Sequence, residues 1–259
     1  MPSIVGFHGF ARSGKDTSGA HLIDTYGFTR FAFGDRLKQQ VRTLDCRLNG
    51  TVSLAMLLDS LDGNWAKAEG HRVYGAEVRR TLETYRDKLV HDVFGDFGRS
   101  EDAIRDDMLT LDPFLDGDLS ISMLLDSLGG DWEKAKAHRI HTFEVRRLQQ
   151  VYGTEVCRGS FGHDIWVQLL ERDVIASGAR DVVVTDVRFD DEAAWVVARG
   201  GRVLHVVRDG VGAANAHTSE KGIDPKYIHA TIENNGTIAE LTSRLDDVLK
   251  LAPVALAAA

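Results

Sequence analysis

Hydrophobic and polar positions divide this chain into two α/β stretches with a helical block between them. Ser3 to Phe7 is a short apolar run and reads as a strand. Gly14 to Tyr26 has helical spacing and is closed by Gly27, and Phe28 to Phe33 reads as a second strand. Asp35 to Leu44 places Leu37, Val41 and Leu44 on one helix face. The pattern returns after residue 164. Ile165 to Ala176 is an amphipathic helix, and Asp181 to Asp186 is a buried parallel strand ending in an acid. Glu192 to Arg199 is helical and stops at Gly200-Gly201. Arg202 to Arg208 is another buried strand, Ala230 to Ile232 a short one, and Ile238 to Leu251 a final helix. Strands alternating with helices imply an α/β fold with a parallel sheet covered on both faces.

The block between them is an internal duplication. Ser53-Leu54-Ala55-Met56-Leu57-Leu58-Asp59-Ser60-Leu61 recurs as Ser120-Ile121-Ser122-Met123-Leu124-Leu125-Asp126-Ser127-Leu128. Trp65 matches Trp132, Glu77-Val78-Arg79-Arg80 matches Glu144-Val145-Arg146-Arg147, and Tyr85 matches Tyr152. Phe94-Gly95 matches Phe161-Gly162. The shift is about 67 residues throughout, with about twenty identities in about forty-five pairs. The expected organisation is a core of residues 1–36 and 163–259 and a helical insertion of residues 37–162, with copies near 37–95 and 104–162.

Composition narrows the class. The 259 residues carry a formal net charge of −8, which argues against bulk attraction to nucleic acid or anionic membrane. Cys46 and Cys157 are too few for a disulfide framework and read as cytosolic thiols. No signal peptide and no membrane-spanning run is evident, so a cytoplasmic protein is expected, and a homodimer is left open.

The chemistry concentrates in Gly9-Phe10-Ala11-Arg12-Ser13-Gly14-Lys15-Asp16-Thr17, between the first strand and the first helix. Gly9 and Gly14 permit backbone angles that aim successive N–H groups at a phosphate chain, and the helix N-terminus adds positive potential. Lys15 supplies a full charge toward β- and γ-phosphates. Asp16 stands where such phosphate-binding loops usually place a hydroxyl residue, and a carboxylate there can ligate Mg²⁺. The alternative is a plain glycine turn. Asp186, at the end of a buried strand, is placed to hold Mg²⁺ or its water, or else to cap a helix. Arg188 could meet a phosphate or form a surface ion pair. Of Arg146 and Arg147, neighbours on one helix, one should grip a substrate phosphate and the other be structural. Asp35 and Lys38 share a helix face. His217-Thr218-Ser219-Glu220 falls in a polar stretch suited to a lid, and Asn234-Asn235-Gly236 is a turn placed to reach an adenine.

Together these pieces resemble the deoxynucleoside monophosphate kinases of bacteriophage type, in the P-loop kinase class. The carriers are Arg12 to Thr17, Phe33-Gly34-Asp35-Arg36-Leu37-Lys38, Gly153-Thr154-Glu155-Val156, Phe161-Gly162 with Trp166, and Thr185-Asp186-Val187-Arg188-Phe189 with Glu192. His217 with Ser219-Glu220 and Ile232 to Gly236 complete the set. The resemblance implies transfer of the γ-phosphoryl group of ATP to a deoxynucleoside 5′-monophosphate, with Mg²⁺. It implies ATP at Gly9, Ser13, Gly14, Lys15, Thr17 and Asn234, and the metal at Asp16 and Asp186. Arg12 and Arg188 would neutralise charge beside Lys15. Asp35, Lys38, Arg146, Arg147, Glu155 and Trp166 would serve the acceptor. Asp190-Asp191 departs from the family's Pro-Asn. Only the second copy keeps Gly-Thr-Glu, so it resembles the family's own substrate region. Another small phosphate acceptor such as dephospho-coenzyme A, or an ATPase without an acceptor, is the competing expectation.

Overall fold

The computed structural model describes residues 3–91, 95, 99–213 and 217–250. Phe94 and Leu251, both named above, lie outside them. The chain forms two compact units, one of residues 1–35 with 163–259 and one of residues 36–162.

In chain order, β1 is Ser3–His8, α1 Lys15–Tyr26, β2 Thr29–Phe31 and α2 Phe33–Leu44. The helical unit continues with α3 Leu54–Ser60, α4 Trp65–Glu69 and α5 Gly75–Glu83, which runs into the π-helical Thr84–His91. It then has α6 Glu101–Leu111, α7 Ile121–Ser127, α8 Trp132–Lys136 and α9 Thr142–Gln150, followed by the π-helical Val151–Arg158 and α10 Gly159–Phe161. The first unit resumes with α11 Ile165–Ser177, β3 Asp181–Val187, α12 Asp190–Ala198, β4 Arg202–Val207, β5 Ile228–Glu233 and α13 Ile238–Leu249.

The first unit is α/β, as its pattern implies. Its sheet has the order β2-β3-β1-β4-β5, with every neighbouring pair parallel. Val5, Phe7, Val183, Leu204 and Val206 join Leu22 and Tyr26 of α1 and Leu241 and Leu245 of α13 in one buried core. On the other face, a side chain on Gly6 would meet Val196 of α12 at 3.2 Å. Both faces are therefore covered, which suits the nearly continuous apolar strands. α1 ends where Gly27 takes a left-handed conformation and its N–H reaches Ile23 O. The second strand is shorter than its apolar run. Phe33 belongs to α2, because Asp186 accepts the N–H groups of Phe33 and Gly34 and starts the helix two residues before Asp35.

In the helical unit the duplication is visible as geometry. Ser53 and Ser120 cap α3 and α7, and Asn64 and Asp131 cap α4 and α8. The copies pair about a pseudo-twofold axis. Leu48 N–H donates to Leu119 O at 2.9 Å and Leu115 N–H to Val52 O at 2.8 Å. Leu54 N–H meets Pro113 O and Ile121 N–H meets Cys46 O, each at 3.0 Å. Asp45 accepts from Ser122 N–H, and Asp112 from Ala55 N–H. Each of these contacts in one direction has its counterpart 67 positions away, the signature of an isologous interface. The fully buried Tyr85 and Tyr152 meet edge to face at 6.4 Å. Cys46 and Cys157 are free and buried, and burial pushes the Cys46 thiol up to about 12 and raises Cys157 as well.

Candidate active site

The loop from Gly9 to Gly14 joins β1 to α1 in a conformation that its sequence dictates. Gly9 has φ 140° and Gly14 φ 114°. A side chain on Gly9 would strike the Val206 carbonyl, and one on Gly14 the Asn234 amide. Arg12 is left-handed too, at φ 68°, without glycine's freedom. Such strain costs on the order of 1–3 kcal/mol and collects at ligand-binding loops. Asn234 braces the loop, with its Nδ2 donating to Ser13 O at 2.7 Å and its own N–H to Val207 O at 2.8 Å.

Lys15 opens α1 and is 8 % exposed. Its Nζ donates to Phe10 O at 2.6 Å, so the ammonium lies within the loop it serves. Burial, and next the charge of Arg188, lower its pKa to about 8, with Asp16, Asp186 and Glu220 pulling the other way. These five groups therefore share one electrostatic neighbourhood. Ser13 Oγ and Ser18 Oγ are buried hydroxyls with no partner among the described residues. Asp16, in the first turn of α1, is exposed.

Asp186 sits at the end of β3, and each carboxylate oxygen accepts one N–H, from Phe33 and from Gly34, both at 2.8 Å. It caps a helix, though not the one that follows it in sequence. One lone pair on each oxygen remains for a metal or its water. Arg188 forms an ion pair with Glu220 at 2.8 Å, and its N–H donates to Glu192 at 2.7 Å. Glu220 thereby joins the polar stretch after β4 to the strand end. Asp35 is paired with Arg30, at 2.7 and 3.3 Å, and not with Lys38. Trp166, on α11, is 4 % exposed.

Sequence reading missed two histidines. His8 ends β1, and its Nδ1–H donates to Val187 O at 2.9 Å. His205 lies opposite it in the β1–β4 register, with ring centroids 4.8 Å apart. Burial lowers both pKa values, and the charge of Lys15 works in the same direction on each. Both imidazoles therefore favour the neutral form within reach of the Lys15 charge. Their sequence signal was a polar residue in an apolar strand, at the end of β1 for His8 and inside β4 for His205.

In the helical unit the two adjacent arginines separate. Arg147 is structural. It forks onto Glu144 at 2.8 and 2.6 Å and donates to Leu111 O and Asp112 O at the end of α6. Arg146 makes no hydrogen bond or ion pair among the described residues, and neither does Lys38. Glu155 is exposed on the π-helical segment. Gly153 lets that segment approach α2, since a side chain there would lie 3.1 Å from Leu37.

Residues 123–245 match the family model described as deoxynucleotide monophosphate kinase. The chain is 35 % identical to the deoxynucleotide monophosphate kinase of Escherichia phage RB69 and 34 % to that of Enterobacteria phage T4. Each alignment covers 112 residues, 42 % of this chain and 46 % of the relative, so the chain spans about half the length of these curated relatives. A putative deoxynucleotide monophosphate kinase of Acanthamoeba polyphaga mimivirus is 23 % identical over 93 % of both chains. The resemblance read from the motifs therefore stands, and the family match includes most of the second copy and none of the first.

Proposed function

We propose that this chain transfers the γ-phosphoryl group of ATP to the phosphate of a deoxynucleoside 5′-monophosphate, giving the diphosphate and ADP. The observation that carries the reading is the loop: two glycines in positions no side chain could occupy, a buried Lys15 at a helix N-terminus, and a carboxylate–arginine cluster at the adjoining strand end. Such a loop can present N–H donors to a polyphosphate. The likeness to named deoxynucleotide kinases points the same way.

In this reading the loop N–H groups and Lys15 hold the β- and γ-phosphates. Nζ exchanges its bond to Phe10 O for phosphate oxygen. Arg188, and Arg12 on the exposed loop, offset the charge on the transferring group. The acceptor's phosphate oxygen attacks the γ-phosphorus as the bond to the β-bridging oxygen breaks. The bond pair leaves with ADP, and positioning supplies most of the acceleration. Asp16, exposed, and Asp186, with lone pairs to spare, fit a hard cation with oxygen ligands. Mg²⁺ bound there would neutralise phosphate charge. The acceptor is assigned to Arg146 and Glu155 of the second copy together with Lys38, which the first copy contributes. The site of action is the cytoplasm, and among the described residues no helix is long and apolar enough to cross a membrane.

The test is ADP release with ATP, Mg²⁺ and each common deoxy- and ribonucleoside monophosphate, with products identified chromatographically. Diphosphate formation from one or more deoxynucleotides is expected. ATP hydrolysis indifferent to every acceptor overturns the reading.

A further inference from the structure

The pseudo-twofold axis brings the same elements together twice, with opposite electrostatic results. On one side of the axis the Glu69 carboxylate of the first copy accepts from Arg105 Nη2 of the second at 2.8 Å, and Arg105 lies over the Trp65 ring, 5.6 Å from its centroid. Arg79 donates to the Glu69 carbonyl. Gly75 makes room for that bond, since a side chain there would collide with the carbonyl. Asp102 adds a second, exposed carboxylate 3.7 Å from Arg105. Two cations and two anions satisfy one another.

The shift of 67 positions carries Arg105 onto Lys38, Glu69 onto Lys136, Arg79 onto Arg146 and Gly75 onto Thr142. Two ammonium groups stand where the first copy has an ion pair. Thr142 Oγ1 takes the Lys136 carbonyl at 2.6 Å, so Arg146 is left without the anchor that holds Arg79. The Glu133 carboxylate pairs with Lys136 and is itself 69 % exposed. Burial opposes its ionisation, but the Lys136 hydrogen bond and the charges of Lys136, Lys38 and Arg146 hold its pKa below the ordinary value. All three cations therefore lie within electrostatic reach of Glu133, a solvated carboxylate, and Lys38 and Arg146 have no hydrogen bond or ion pair among the described residues. Guanidinium beside ammonium is a good donor set for a phosphate monoester.

We propose that Lys38, Lys136 and Arg146 form an anion site for the acceptor's phosphate, and that Glu69 closes the pseudo-equivalent site of the first copy from within. The proposal rests on the kinase reading only for the identity of the anion. The chain then carries one working acceptor site and one silenced duplicate. A single change of charge sign at position 69, supported by Gly75, accounts for the difference.

Calorimetric titration of the full chain with deoxynucleoside monophosphates and with inorganic phosphate, ADP being present at saturation, tests this. Wild type should bind one equivalent. Lys38→Ala and Arg146→Ala should each raise Kd about tenfold or more, the scale of one charge-assisted contact. Arg146→Lys should stay within about threefold. Glu69→Lys with Gly75→Thr should bind a second equivalent, and Glu69→Gln, which keeps the shape, should bind a second equivalent of phosphate weakly. Two equivalents in wild type, or unchanged affinity in both alanine variants, would overturn the proposal. So would a single equivalent in both Glu69 variants when they melt like wild type. Phosphate binding that depends on Lys38 and Arg146 in a chain that phosphorylates no acceptor would sink the kinase reading and leave the anion site standing.

Discussion

Removing Arg147 should destabilise the protein more than removing its duplicate Arg80, although the two are bonded alike. Arg147 holds Glu144 with two hydrogen bonds and caps α6 with two more, at 2.6 and 3.2 Å. The Glu144 side chain is only 8 % exposed. Arg147→Ala leaves that carboxylate buried and unpaired, a defect worth about 3–5 kcal/mol in a closed interior. The arginine side chain is 23 % exposed, so water can enter the vacated space and the cost falls to about 2–4 kcal/mol. Arg80 makes the same four contacts to Glu77, Leu44 O and Asp45 O. Glu77, however, is 15 % exposed and keeps Arg47 at 3.7 Å when Arg80 is gone. The counterpart of Arg47 is Phe114, so Glu144 has no such reserve. Arg80→Ala should therefore cost about 1–2 kcal/mol. At roughly 2–4 °C per kcal/mol, Arg147→Ala should melt several degrees below Arg80→Ala. Calorimetric melts of the two single variants give the answer. A melt of Arg80→Ala at or below that of Arg147→Ala would refute the reasoning.

Lys15→Ala should keep the melting temperature within a few degrees and lower turnover by roughly 10²-fold or more; near-normal turnover would remove the loop from the chemistry. ATP affinity should be flat below the Lys15 pKa of about 8 and weaken as pH rises above it. Bound phosphate favours the ammonium, so binding takes up a proton there, and log Kd should climb toward a slope of one in Kd titrations across pH 7–10. Asp186→Asn offers one acceptor oxygen to two N–H groups, so it should cost about 1–3 kcal/mol and also slow turnover. Added Mg²⁺ should recover part of the rate and none of the melt. Gly14→Ala must hold an alanine at φ 114° and displace Asn234, so ATP binding should fall at least tenfold; adding Asn234→Ala should relieve the clash and restore only part of it.

The strands and the phosphate loop were legible because they depend on local spacing. Ile4 to Phe7 and Val182 to Val184 are apolar without interruption, and Gly9 and Gly14 are required by backbone angles alone. The start of α2 was not legible, since its cap, Asp186, arrives 152 residues later. The pairing of His8 with His205 needs the β1–β4 register, and that of Arg188 with Glu220 needs the path of the chain after β4. The sequence implied that one of Arg146 and Arg147 is structural. Which one depends on the helix end lying opposite, and that follows from the fold. The burial of Trp166 is not legible either, because a large aromatic beside a motif reads the same whether it faces a pocket or a core.

Tandem duplication also freed this interface from a constraint that binds every homodimer. On one side of the pseudo-twofold axis Tyr152 donates to Gln40, a neutral pair. On the other, Tyr85 donates to Asp107, a carboxylate 5 % exposed that also takes bonds from Arg99 and Ser160. The counterpart of Arg99 is Ala32. Two identical chains would have to bury that carboxylate twice and find a cation for it twice. Fused in one polypeptide, the halves can drift independently: one can gain a charge together with its counter-ion while the other stays neutral. Inheritance of the two halves on a single gene product turns a symmetric assembly into one whose faces can specialise separately.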